Sequence, residues 1–166
     1  MPLNKDNIAT LWDTITPKLY GYLVHTLRDR NLAEDILQAT WLKAIEALPR
    51  FEERKGISFS SWLFAIARNE CKQHWRKSGR EISFDPEVHN KEEPDPKRED
   101  KIFIDQILMQ LSPNDRELIR LRYIADLSLN EIAKLLKINP ITARVRMHRA
   151  LSFAKIVIKN KNNNYD

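Results

Sequence analysis

Leu19, Tyr20, Leu23, Val24 and Leu27 share one face of a 3.6-residue period, the pattern of a helix that buries a single stripe. Thr16-Pro17 just upstream reads as an N-cap with proline at the first helical position, where a missing N–H is tolerated. A second helix opens on the capping-box-like Asn31-Leu32-Ala33-Glu34 and carries Leu37, Trp41, Ile45 and Leu48 until Pro49 stops it. After a loop over 50–56, a third helix is predicted over 58–80. It begins with Phe59, Trp62, Leu63, Ile66 and Ala67 and passes into Arg68, Lys72, Arg76, Lys77 and Arg80. Two more follow, one over 102–111 and one opened by Ser112-Pro113-Asn114-Asp115. No convincing strand pattern interrupts the series.

The last third is the most specific. Ser128-Leu129-Asn130-Glu131 is a capping box, pairing a hydroxyl for the free amides with a carboxylate three residues on. It opens a short helix with Ile132, Ala133, Leu135 and Leu136 on one face. The chain turns at Lys137-Ile138-Asn139, and Pro140 starts another helix carrying Thr142, Arg144, Arg146 and Arg149. On that helix Ala143, Met147, Ala150 and Leu151 form the packing face. A short apolar helix, a tight turn and an arginine-bearing helix make a helix-turn-helix suited to the DNA major groove. Thr142, Arg144, Arg146 and Arg149 are the candidate contacts to base edges and phosphates. A solvated basic helix capping a bundle is the plainer alternative.

Composition narrows the class. With 3 glycines in 166 residues, a β-rich or glycine-loop architecture is disfavoured, and the expected fold is all-α. No apolar run reaches the ~20 residues of a membrane span, and the start of the chain has no signal-type segment, so a cytoplasmic protein without membrane insertion is expected. Cys71 is the 1 cysteine present, which excludes an intramolecular disulfide.

Charge gives the organisation. Residues 1–80 carry net +4, residues 81–100 net −5 and residues 101–166 net +6. The acidic strip holds Pro86, Pro94 and Pro96 and few large apolar residues, so it reads as a flexible linker. Two small helical bundles, 1–80 and 101–166, are thus expected to flank it, each basic enough to touch nucleic acid.

In the first bundle, the mixture of aromatic and basic residues over 62–80 suits unpaired DNA, where cations track phosphate and rings stack on bases. Trp62 lies in a core-like apolar pattern. Trp75, among Gln73, His74, Arg76 and Lys77, fits either a core or a stacking platform. Cys71 and His74 stand three apart, but two ligands do not make a metal site and no other histidine has ligand spacing to them. Neither a catalytic constellation nor a phosphate loop is present. A non-enzymatic binding protein without metal or cofactor is expected.

The segments Ala33-Glu34-Asp35-Ile36-Leu37-Gln38 and Trp62-Leu63-Phe64-Ala65-Ile66-Ala67-Arg68-Asn69 resemble the promoter-melting domain of bacterial extracytoplasmic-function (group IV, sigma-70) sigma factors. Leu111-Ser112-Pro113, Leu127 to Ala133 and Thr142 to Ala150 resemble the C-terminal domain of the same family. This resemblance, spanning nearly the whole chain, implies that Glu34, Asp35 and Gln38 dock on the clamp helices of the largest RNA polymerase subunits. It implies that Asn69 reads a flipped −10 base while Arg68, Lys72 and Arg76 hold the backbone, with Trp75 beside them. It places Arg144, Arg146 and Arg149 on the −35 element. An anti-sigma factor is a further implied partner.

Residue chemistry leaves plainer roles open: acids near a helix start favour its dipole, and asparagine is a good N-cap. Ala39 stands where relatives often have Glu, Lys137 where they often have Gly, and Val145 where a small polar residue is frequent. The expected function is an alternative sigma factor. A helix-turn-helix regulator acting as a dimer without polymerase is the alternative, and a metal- or redox-responsive sensor using Cys71 is a third.

Overall fold

The computed structural model describes residues 5–54, 57–79 and 105–163; the acidic strip and both proposed boundaries lie outside them. Helix α1 spans Lys5–Leu27, α2 Arg30–Ala47 and α3 Phe59–Lys77, with a short 3-10 turn, Leu48–Arg50, between the last two. Residues 105–110 are helical (α4). Then come α5 (Pro113–Tyr123), α6 (Leu129–Leu136) and α7 (Pro140–Asn163). The described residues form no strand, only an isolated bridge between Arg54 and Ile57. The fold is all-α.

Local chemistry sets most helix ends. Ser58, Ser112 and Ser128 each accept an amide hydrogen bond from the residue three positions on, satisfying an orphan donor of the first turn. Ser128 and Glu131 complete the capping box reciprocally. Helix α2 takes its N-cap from Asp29, two residues ahead of the expected Asn31, because the Asp29 carboxylate accepts from Leu32 N at 3.0 Å. Pro49 ends it by forcing the 3-10 turn.

The expected start at Thr16-Pro17 is wrong: α1 runs straight through Pro17. An internal proline costs about 3 kcal/mol. Here Ile15 is buried and Trp12 packs on Trp41 with ring centroids 4.4 Å apart. Burying Ile15 before Pro17 and Leu19 after it is worth about 1.5–3 kcal/mol each, enough to offset the lost hydrogen bond.

Helices α1, α2 and α3 form one bundle and α5, α6 and α7 another, but they do not stand apart. α5 packs on α1 and α6 on α3. Leu19, Tyr22, Leu23, Leu63 and Phe64 share a continuous core with Leu118, Leu121, Leu127 and Ile132. Tyr22 meets Phe64 edge to face at 5.3 Å and 79°, a favoured aromatic geometry.

Lys137 closes α6 in the left-handed region at φ 55, ψ 44. Ile138 N reaches back to Ala133 O at 2.9 Å, a Schellman-type ending that glycine serves best. The left-handed conformation costs a non-glycine residue about 1–2 kcal/mol, partly returned by its smaller unfolded-state entropy. Lys137→Gly is therefore expected to stabilise the chain by about 0.5–1 kcal/mol in urea unfolding. A lower midpoint would mean that the lysine side chain contributes more than its backbone costs.

Candidate nucleic-acid and polymerase interfaces

Helical geometry divides α3 into two sides. Ala65, Asn69 and Arg76 are exposed, with Trp62 and Lys72 half-buried along the same stripe. Asn69 lies eleven residues beyond the Ser58 cap, so its amide is not a helix cap. Arg68, Cys71 and Trp75, at i, i+3 and i+7, occupy the covered side and are 8%, 0% and 3% exposed. The indole of Trp75 is thus a core group, because its period matches Arg68 and not Asn69. Trp62 joins an aromatic cluster with Phe51 and Phe59 at 4.7 and 5.5 Å.

The covered side of α3 meets α5 through charge. Glu117 Oε1 accepts from Arg68 Nε at 3.0 Å and from the Tyr22 hydroxyl. Glu117 Oε2 accepts from Arg120 Nε and Nη2 at 3.2 and 3.0 Å. All four residues are buried. Burial disfavours the phenolate and Glu117 repels it, so the Tyr22 hydroxyl is held well above its usual range. Burial also works against the Arg68 cation, but Glu117 and then Tyr22 outweigh it and raise its pKa. The Lys72 ammonium is lowered, first by burial and then by Arg68, Lys137 and Arg76.

Burial, followed by the charge of Glu117, pushes the Cys71 thiol up to about 12. A buried neutral thiol is a poor nucleophile and metal ligand. Among the described residues no group of three His, Cys, Asp or Glu side chains could hold a metal. Nothing in this geometry favours a sensor built on Cys71.

On α2, Glu34, Asp35 and Gln38 are exposed. Leu42 and Ile45 continue their stripe at helical spacing and are 62% and 55% exposed. Ile45 is therefore not on the buried face as its spacing suggested; Ala33, Ile36, Thr40, Trp41 and Ala44 fill that face. Lys43 pairs with Glu70 of α3, pinning the other edge of α2.

On α7, Ala143, Met147 and Ala150 are buried. Ile141, Arg144, Val145, His148 and Arg149 point outward, while Thr142 and Arg146 sit half-buried at the flank. Asn139 Oδ1 accepts from Ile141 N at 2.8 Å and so holds the helix start. The spacing of Arg144 and Arg149 alone could have identified Ile141, Val145 and His148 as the residues between them. No helix among the described residues is long and apolar enough to cross a membrane.

Residues 11–81 match the family model described as Sigma-70 region 2, and residues 104–153 match Sigma-70, region 4. The chain is 33% identical over 152 residues to RNA polymerase sigma factor CarQ of Myxococcus xanthus, covering 87% of this chain and 85% of CarQ. It is 28% identical over 159 residues to the ECF RNA polymerase sigma factor SigX of Bacillus subtilis, covering 89% and 81%. The fold is similar to that of the sigma factor RpoE in complex with the anti-sigma factor NepR from Bartonella quintana. There the TM-score is 0.67 at 23% identity, over 93% of this chain and 98% of that one. With both sigma regions matched in order and similarity to CarQ along most of its length, the chain belongs to the extracytoplasmic-function group of sigma-70 family RNA polymerase sigma factors.

Proposed function

We propose that the chain binds RNA polymerase core through α2, captures unpaired −10 bases through α3 and reads the −35 duplex through α7. The observation that carries this reading is the helix-turn-helix. Its second helix turns Arg144 and Arg149 outward on either side of an exposed Ile141, Val145 and His148. On α3, Asn69 offers a donor and an acceptor to a base edge, with Lys72 and Arg76 beside it for phosphate. On α2, carboxylates followed by Leu42 and Ile45 give a polar and apolar stripe of the kind that docks on a partner helix. Bond-making belongs to the polymerase, and the chain acts where polymerase acts, in the cytoplasm. An anti-sigma factor completes the proposed partners, as the RpoE structure contains one.

The deciding experiment is in vitro transcription with core polymerase, with and without this protein. A polymerase-dependent start and one asymmetric two-part footprint are expected. A palindromic footprint without polymerase would instead support a dimeric regulator.

The outward face of α7 makes a finer prediction. Exposed branched aliphatic groups between two arginines suit thymine methyls in the major groove. Val145→Ser is expected to lower discrimination at one −35 position by about 1 kcal/mol, the scale of one buried methyl or methylene group. Arg149→Ala should weaken all sequences alike and reduce the salt slope by about 1. Binding across a panel of substituted −35 duplexes at several salt concentrations separates the two effects. An unchanged preference profile for Val145→Ser would reject its reading role.

A further inference from the structure

Trp41 belongs by period to the outward stripe of α2, standing seven residues after Glu34, three after Gln38 and four before Ile45. Those three are exposed, yet Trp41 is only 3% exposed, because Trp12 of α1 lies on it with ring centroids 4.4 Å apart. Trp12 itself is 41% exposed. Where α2 lacks an outward side chain, α1 supplies one. We propose that Trp12 is an apolar anchor of the polymerase-binding face, carrying that face from α2 onto α1. The partner it fits is a polymerase helix with an apolar ridge flanked by cations. The inference rests on the assignment of α2 to polymerase.

The surface is apolar toward one end and acidic toward the other. Leu42 and Ile45 are exposed beside Trp12, and Glu34 and Asp35 are exposed nearer the start of α2. None of these residues is a cation, and Lys43 of α2 is held on the opposite edge by Glu70. An exposed apolar patch with a polar rim marks a docking site, and tryptophan is over-represented among the side chains that dominate binding. Leaning on Trp41, the Trp12 ring has already given up rotamer freedom, so covering it with a partner costs little further ordering. A second copy of the chain is a poorer occupant. It would offer the same patch, with no cation to meet Glu34 and Asp35.

Trp12 also helps to hold α1 through Pro17, so the test needs a reading that a purely structural role would not move. The full chain is produced with 5-hydroxytryptophan, which is excited apart from the tryptophans of polymerase, and acrylamide quenching is followed as core polymerase is added. Of the 4 tryptophans, Trp41 and Trp75 are buried and Trp62 is half-buried, which leaves Trp12 as the exposed one. Quenching is expected to fall about two-fold or more as the ring is covered, and to change little in Trp12→Phe. Trp12→Gln should weaken core binding about ten-fold or more, and Trp12→Phe by about three-fold or less. Affinity for a −35 duplex, which a general loss of fold would lower, should stay level in both.

Unchanged quenching on core binding would overturn the proposal, and this reading stands even if Trp12→Gln does not fold. Wild-type core affinity in folded Trp12→Gln would overturn it as well. Protection of Trp12 in the chain alone at rising concentration would give the patch to a second copy instead. If Asp35→Arg keeps full affinity for core, the assignment of α2 fails and this inference with it. If Asp35→Arg loses affinity while Trp12→Gln does not, only this inference fails.

Discussion

Replacing Asp35 by Arg is expected to abolish association with RNA polymerase core and, with it, promoter-directed transcription. Asp35 is an exposed carboxylate on the stripe of α2 that continues through Gln38, Leu42 and Ile45. A reversed charge at the centre of a docking face leaves two like charges opposed or one unpaired, a cost of about 2–5 kcal/mol. At 1.4 kcal/mol per decade, that is a loss of roughly 30- to several thousand-fold in affinity. Leu42→Arg should act in the same direction by desolvating a cation where an aliphatic group belongs. Neither change touches the core, so the far-ultraviolet circular dichroism and melting temperature should match the wild type. Co-purification with core polymerase, with Arg144→Ala as the variant that retains binding, makes the comparison. Undiminished co-purification of Asp35→Arg would remove α2 as the docking face.

Above pH 9 the chain is expected to lose stability steeply. The Cys71 thiol moves from an ordinary value of 9.0 to about 12 in the folded chain, and Tyr22 moves upward from 10.0. A group with a raised folded pKa contributes fully below its unfolded value, and the contribution is lost as pH climbs toward the folded one. For Cys71 the three-unit span corresponds to about 4 kcal/mol, mostly lost between pH 9 and 12. Tyr22 extends the decline further. Urea midpoints at steps from pH 7 to 11 should trace the fall, and Cys71→Ala should flatten its first part. A wild-type profile in Cys71→Ala would show that the thiol is not the group that titrates.

Where a structural decision is local, it was legible. Ser58, Ser112 and Ser128 open helices by accepting hydrogen bonds from amides three residues on, and the Ser128 cap starts the helix-turn-helix. Lys137 is left-handed because that conformation lets the amides of Lys137 and Ile138 donate back to the carbonyls of Lys134 and Ala133. Thr16-Pro17 misled because the helix is held there by Ile15 and by Trp12 on Trp41, which lies 29 positions from Trp12 along the sequence. Trp75 could not be assigned from its basic neighbours; its burial is a matter of which side of α3 is covered. Ile45 looks like a core residue from its spacing with Leu37, Trp41 and Leu48, since spacing alone does not say which side of α2 receives a neighbour.

Sequence alone sufficed for the all-α class, the caps at Ser112 and Ser128, the helix-turn-helix and the family, because each depends on residues close together or on motifs read in order. Only the tertiary structure decided that the two bundles share a core and that Arg68 belongs to Glu117, 49 residues away. It also decided which residues of α2, α3 and α7 remain outside. Those outcomes depend on which helix faces dock, and docking is chosen by summed burial and desolvation across distant segments. No local pattern encodes that sum.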